Sequence, residues 1–267
     1  MSMTLASSPA PAHPDWTALT TEAAALIESE PTLAELVRSY FPKDGTFSLA
    51  LCSLLADSLQ APSVGKGVLE SLFQDVLAAD AGIAQAALVD LQAIRSRDPS
   101  CPSYLHAFLN LKGFQALQAH RIAHYLWSVD RNEMAVWLAN RVSVVIGADI
   151  HPAANIGEGV MFDHGSGVVI GETAVVEDNV SILQNVTLGG TGKVGGDRHP
   201  KVRFGVMIGA GAKIIGNIEI GANSKVAAGS VVLKDVPPNC TVAGIPAQVV
   251  RIHDARTVPS ETMDQSL

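Results

Sequence analysis

The sequence predicts an α+β protein, an N-terminal all-α domain followed by a left-handed parallel β-helix of hexapeptide repeats. Three observations carry this expectation. Eleven of the 13 aromatic residues lie in 1–143, whereas 18 of the 23 glycines lie in 144–250. Before residue 143 apolar side chains recur at three- and four-residue spacing, the period of a helix with one buried face. After it, aliphatic side chains recur every six residues, a repeat signature.

Residues 1–14, with Pro9, Pro11 and Pro14 among Ala and Ser, read as a disordered tail. Residues 15–143 read as the helical domain. Leu88, Leu91 and Ile94, and then Leu117, Ile122, Tyr125 and Leu126, mark buried helix faces. Pro31, Pro42, Pro62, Pro99 and Pro102 divide the region into about six helices, with Thr32, Asp80 and Asp98 at caps or breaks. Residues 144–250 carry the six-residue period at Val144, Ile150, Ile156 and Phe162, then Ile170, Val176, Ile182 and Leu188, then Ile208, Ile214, Ile220, Val226 and Val232. Residues six apart on a helix point about 120° away from each other, and a flat strand alternates every two, so neither ordinary element explains the series. A triangular coil does: each hexapeptide is one side, the aliphatic residue points inward and glycine relieves the corner. Twelve such units predict about four coils. Residues 251–267 read as a C-terminal tail.

Charge and composition exclude several functions. Apolar residues make up 48% of the chain and charged ones 16%, and the net charge is −8, so neither nucleic acid nor an anionic membrane surface is the expected partner. Cys52, Cys101 and Cys240 are odd in number and far apart, which predicts no disulfide framework and a cytoplasmic setting. The N-terminal residues have no basic and apolar signal pattern, and no apolar run approaches a membrane span.

Two insertions interrupt the repeat, and insertions in a solenoid project as loops where ligands bind. The short one holds Asp163-His164-Gly165-Ser166-Gly167. The long one, 189–207, adds about 14 residues beyond a repeat and reads Gly189-Gly-Thr-Gly-Lys-Val-Gly-Gly-Asp-Arg198-His199-Pro-Lys201. Its GxGxxG match lacks a following helix, and it is not a Walker loop. Its amides and cations suit a phosphorylated or carboxylate-bearing ligand. Residues 144–192 contain six acids and no Lys or Arg, while 193–225 contain six bases against two acids, which predicts an acidic half and a basic wall for an anionic cofactor.

The runs Lys112-Gly-Phe-Gln-Ala-Leu-Gln-Ala, Asp149-Ile-His-Pro-Ala-Ala, Asp163-His164, Gly171-Glu-Thr-Ala-Val, Leu188-Gly-Gly-Thr-Gly-Lys and Gly195-Gly-Asp-Arg-His-Pro closely resemble bacterial serine O-acetyltransferases, from the middle of the helical domain to about Ala247. The resemblance implies transfer of acetyl from acetyl-CoA to the hydroxyl of L-serine, giving O-acetyl-L-serine for cysteine synthesis, with acetyl-CoA as co-substrate and no metal. It implies His164 as general base and Asp149 as the carboxylate that orients it. That assignment suits the chemistry: an imidazole can take the proton of a hydroxyl that is a poor nucleophile at neutral pH. It implies Asp98 and Asp163 for the serine ammonium group, Arg198 and His199 for its carboxylate, and Gly190, Thr191 and Ala210 along the CoA channel. Direct transfer is expected, since no cysteine has a histidine neighbour in sequence.

Hexapeptide coils typically trimerise with sites between subunits, and in the family the helical domains pair two trimers, which makes 15–143 an oligomerisation domain. The family also implies feedback inhibition by L-cysteine and a complex with O-acetylserine sulfhydrylase made by a tail ending in Ile. Here the tail reads Met263-Asp-Gln-Ser-Leu267 without that Ile, so either the complex is expected to be weakened or absent or the chain is incomplete at this end. Alternatives are an acetyltransferase for homoserine or a sugar, a γ-type carbonic anhydrase needing three metal-binding histidines, and a partner-binding scaffold. His120 and His124, at i and i+4, are expected to be packed or surface residues rather than metal ligands, and His151 a turn residue.

Overall fold

The computed structural model describes residues 16–192, 195–254 and 256–266. The expected tail of 1–14 lies outside them, as do Lys193 of the long loop and the terminal Leu267. Eight α-helices precede the coil among the described residues, rather than about six: α1 (Trp16–Ser29), α2 (Ala34–Tyr40), α3 (Phe47–Leu59), α4 (Lys66–Ala79), α5 (Gly82–Arg97), α6 (Tyr104–Asn110), α7 (Lys112–Ser128) and α8 (Asn132–Ile146). Two of the starts are set by hydroxyl caps that the proline pattern does not reveal. Thr46 accepts the Leu49 N–H and Ser103 the His106 N–H. Asp80 and Asp98 sit at helix ends as expected, and Thr32 lies in a short 3₁₀ turn at 31–33. Helix α8 runs to Ile146, so Val144 is no inward coil position. It lies on the helix surface, 67% exposed, and the C-terminal apolar residues of α8 had imitated a repeat.

The coil then winds through two-residue strands. The first turn has β1 (Asp149–Ile150), β2 (Asn155–Ile156) and β3 (Met161–Phe162); the second has β4 (Val169–Ile170), β5 (Val175–Val176) and β6 (Ser181–Ile182). The third has β7 (Thr187–Gly189), β8 (Lys201–Val202) and β9 (Met207–Ile208), and the fourth β10 (Lys213–Ile215), β11 (Glu219–Ile220) and β12 (Lys225–Val226). A fifth turn, one more than the period predicts, has β13 (Val231–Val232), a bridge from Val236 to Ile220, and β14 (Cys240–Gly244), which β15 (Ala247–Ile252) closes as an antiparallel hairpin. Equivalent strands stack in parallel register into three faces. Face one is β1-β4-β7-β10-β13, face two β2-β5-β8-β11 and face three β3-β6-β9-β12-β14 with β15 at its end. The chain is thus a left-handed β-helix behind a helical domain.

Most sides bury two residues, the aliphatic one and the residue two before it. Ala148 with Ile150, Val168 with Ile170 and Ala212 with Ile214 are 2% exposed or less. Val202 is a coil position too, pairing with Val176 and Ile220. The long insertion therefore ends near Pro200 and adds about eight residues, not 14.

The helical domain closes the open end of this stack. A first coil leaves unpaired ladder groups, which in a sheet edge invite further pairing. Here Asp90 of α5 accepts the Val160 N–H at 2.9 Å, and Arg121 of α7 donates to the carbonyls of Ile156 and Gly157 at 3.1 and 2.6 Å. His120 bonds Ala154 O at 3.2 Å and His124 bonds Pro152 O at 2.8 Å. Asp90 and Arg121 also form a buried ion pair at 2.7 Å. Both helix histidines are therefore packed, as expected, and they cap the coil. One continuous hydrophobic core joins the two parts.

Past β15 the C-terminal segment folds back, and α9 (Pro259–Thr262) packs against α5. Ser260 O accepts from Ser181 Oγ at 2.9 Å, and the ammonium of Lys225 is held by the carbonyls of Asp264 and Ser266.

Candidate active site

The expected site residues fall into two clusters on opposite edges of face one. The corner between faces three and one carries the short insertion. Here Asp163-His164-Gly165 turns tightly, with Gly165 N–H bonding Asp163 O at 2.7 Å. His164 takes φ 60°, a left-handed conformation that other corners assign to Asn179, Asn185 and Asn223 at 55–60°. That backbone pushes the imidazole outward, and its side chain is 71% exposed. Asp163, half buried beneath it, has its Oδ1 3.9 Å from His164 Nε2. Burial raises the Asp163 carboxyl above its ordinary pKa, His164 opposes this, and Asp98 adds to it.

Asp98 reaches this corner from the end of α5, where its Oδ1 accepts the Ser100 N–H and hydroxyl at 2.8 and 2.7 Å. Asp98, Asp163 and His164 share a cavity of about 330 Å³ with Lys112 and Gly113 of α7. Gly113 makes this contact possible, because a Cβ there would lie 2.1 Å from Phe162 O. Two neighbouring carboxylates in a half-closed cavity favour a cationic ligand group.

The corner between faces one and two holds the rest. Asp149, Arg198 and His199 line a second cavity of about 500 Å³ with His151 and Glu172. His199 is 7% exposed, and its ring occupies the space that any Cβ on Gly171 would fill, at 2.0 Å. Its Nδ1 lies 2.8 Å from Thr173 Oγ1. Burial and the Arg198 charge both hold its pKa below the ordinary value. Arg198 pairs with Glu172 at 2.6 Å, which holds the Glu172 carboxyl below its usual range. Gly190 lies against Arg198 and His199, and Thr191 follows on the same corner, whereas Ala210 belongs to the His164 corner, two coils further along.

The dyad expected between His164 and Asp149 is therefore not formed within one chain. Asp98, Asp163, His164 and Ala210 lie on one edge, and Asp149, Arg198, His199, Gly190 and Thr191 on the other. His151, Glu172 and Thr173 also belong to the second cluster but received no site role from the sequence. Glu172 and Thr173 stand inside a run that does carry the resemblance, and His151 makes the expected turn, its Nδ1 accepting the Ala153 N–H at 3.1 Å.

The structure gives partners to the described bases of the expected basic wall. Besides Arg198 with Glu172, Lys201 pairs with Asp197 at 2.6 Å, Arg203 with Glu177 and Glu219, and Lys213 with the carbonyl of Asn185. Lys225 is held by carbonyls of the tail, and Arg198 and Arg203 are the bases that pair across rungs with the acidic half. Among the described residues no cluster of three or more His, Cys, Asp or Glu side chains could hold a metal ion, and the three cysteines are free and buried. No single described helix is long and apolar enough to cross a membrane.

Comparison with known proteins gives a consistent picture. Residues 16–119 match the family "Serine acetyltransferase, N-terminal", and residues 199–234 match the bacterial transferase hexapeptide family. Serine acetyltransferase of Escherichia coli strain K12 is 50% identical over 250 residues, covering 94% of this chain and 91% of that protein. A solved serine acetyltransferase in complex with cysteine superposes with a TM-score of 0.92 at 48% identity, covering 94% of this chain and 98% of that one. The Brucella abortus enzyme in complex with coenzyme A gives 0.89 at 46%, covering 91% and 97%, and the soybean enzyme complexed with serine gives 0.87 at 50%, covering 90% and 100%.

Proposed function

The chain belongs to the serine acetyltransferase family and transfers the acetyl group of acetyl-CoA to the hydroxyl of L-serine; from that premise we propose that the reaction takes place between two copies of the chain, with His164 of one as general base and Arg198 and His199 of the other holding the substrate carboxylate. The observation that carries this reading is the separation of the site residues onto two edges of face one. A second observation supports it. The exposed apolar side chains Val136, Val144, Val145 and Val169 lie on α8 and face one beside the second cavity, where a neighbouring coil would cover them. A trimer about a three-fold axis parallel to the coils repeats the pairing three times; the helical domains would join two such trimers.

In the completed site Asp98 and Asp163 hold the serine ammonium group and leave its hydroxyl beside His164. The imidazole takes the hydroxyl proton as the oxygen attacks the thioester carbonyl, and Asp149 of the neighbouring copy steadies the imidazolium. When the tetrahedral intermediate collapses, the C–S bond breaks and His164 returns the proton to the CoA sulfur. O-acetyl-L-serine and CoA are the products. Gly190 and Thr191 of one copy and Ala210 of the other line the groove in which CoA lies. L-cysteine has the same ammonium and carboxylate as serine, so it competes for the same site and acts as a feedback inhibitor. We place the enzyme in the cytoplasm, in keeping with its three free, buried thiols. Where a sulfhydrylase complex forms, the docked C-terminal segment must first release from α5.

Mixing two inactive variants tests the shared site. His164→Ala lacks the base and Arg198→Ala the carboxylate contact. Co-refolded one to one, they should regain about a quarter of the wild-type rate, since one pairing in four unites an intact His164 with an intact Arg198. A site built within one chain gives no recovery, and release of CoA thiol from acetyl-CoA plus serine reports the outcome.

A further inference from the structure

Three histidines, His151, His164 and His199, face the two cavities, yet the reaction needs one base. The surroundings of His199 explain how its basicity is suppressed. Thr173, at the corner after β4, meets the last residues of the long loop through a single hydroxyl. Its Oγ1 accepts the Arg198 N–H at 3.0 Å and the His199 N–H at 3.1 Å, and lies 2.8 Å from His199 Nδ1. A hydroxyl has two lone pairs and one proton. Both lone pairs are engaged by backbone donors, so toward the ring this oxygen has nothing left to accept a proton with, and its own proton is shared between Nδ1 and the neighbouring Asp197 carboxylate. The Thr173 N–H points at the same nitrogen from 3.2 Å. Nδ1 therefore faces the Thr173 N–H and a hydroxyl with no lone pair to spare, and it must present its own lone pair. In a neutral imidazole the proton then resides on Nε2.

We propose that Thr173 is a positioning residue that locks His199 in the neutral Nε2–H tautomer, so that this histidine donates to the substrate carboxylate and cannot act as a base. The one lone pair that could accept a proton is turned inward and occupied, whereas Nε2 lies between Gly171 and Gly190 at the cavity wall. Burial beside Arg198 works in the same direction by disfavouring the imidazolium. His164 has no such partner and keeps its lone pair for the serine hydroxyl. The two histidines are thereby given different tasks by their second hydrogen bonds. The inference rests on the assignment of His199 to the substrate carboxylate.

Kinetics of four variants and one spectrum test it. His199→Ala should raise the KM for serine; an unchanged KM removes the assignment itself. Given that rise, Thr173→Val should increase the serine KM about tenfold, the loss expected for a misdirected hydrogen bond to a charged group, with kcat and the KM for acetyl-CoA within about twofold of wild type. Thr173→Ser, which keeps the hydroxyl, should restore the wild-type value. His199→Gln, whose amide donates from the position of Nε2, should bind serine better than His199→Ala. Solid-state 15N spectra of histidine-labelled wild-type enzyme, with the His199 signal assigned by its loss in His199→Gln, should show a protonated Nε2 and a bare Nδ1 at neutral pH. A protonated Nδ1 on His199 overturns the proposal even if Thr173→Val fails to fold. So does a Thr173→Val enzyme with an unchanged serine KM.

Discussion

The two edges that flank face one are built by opposite means. On one, His164 stands out from a left-handed turn with most of its ring exposed, and helices α5 and α7 supply Asp98 and the cavity wall. On the other, His199 is buried and held by one hydroxyl, with two glycines cleared around its ring and no helix donating a charged group. The difference fits the tasks we propose for the two histidines. The proposed base must exchange its proton with substrate and leaving group, and its ring stands exposed with the Asp163 carboxylate 3.9 Å from Nε2. A binding histidine must present one donor in one direction, so its other nitrogen is tied down.

The largest test of this contrast is His164→Ala, which should lower kcat by about 10²–10⁴ while changing the serine KM far less, measured by thiol release. If kcat survives, the exposed edge is not the catalytic one. Next comes the support of that edge. Asp90→Ala leaves the guanidinium of Arg121 buried without its carboxylate and strips the Val160 N–H of its acceptor, at the first coil just ahead of His164. A loss of about 3–5 kcal/mol is expected from denaturant unfolding.

Smaller and more local is Gly171→Ala. The added methyl collides with the His199 ring, so the ring must tilt, and the serine KM should rise about tenfold while kcat changes little. Its counterpart Gly113→Ala presses on Phe162 O under the His164 turn and should lower kcat instead. Equal effects of both on kcat would erase the distinction between the edges.

The smallest effect is on acid stability. Burial pushes the His120 pKa down to about 3, below the ordinary value near 6.5, so the folded protein favours the neutral ring. This contribution is complete above pH 6.5 and is lost as the pH falls from there toward 3, at no more than about 1.4 kcal/mol per pH unit. His120→Gln, which retains a donor for Ala154 O, should flatten the acid limb of the stability profile by a corresponding amount.

Much of the architecture was legible because it rests on a one-dimensional rule. An inward aliphatic residue every sixth position states where each side of the coil lies, and the Gly that follows it in Ile156-Gly157 or Ile220-Gly221 marks a corner too tight for a side chain. The rule failed where local chemistry imitated or disguised it. Val144 has the spacing but belongs to the end of α8, and Val202 lacks a following Gly because Arg203 occupies the corner to reach Glu177 and Glu219. The charge pattern was legible only in part: stacking brings Arg198 and Arg203 onto Glu172 and Glu177 of the acidic half, because residues 26 apart become vertical neighbours. Thr173 escaped notice for a related reason. Its partners, Arg198 and His199, are 25 and 26 residues away, across an insertion whose path no period describes.

By itself the sequence determined the coil, most of its inward residues, the helical domain before it and the residue types we propose to recognise an amino acid and a thioester. Each of these depends on spacing or on side-chain chemistry that survives in one dimension. Tertiary structure decided how those residues are divided. The phase of the coil sends His164 to one corner and His199 to another, and a rigid stack cannot fold one edge onto the other. It also decided which histidine keeps a usable lone pair, because that depends on the donors that packing places beside Nδ1, and no motif names them.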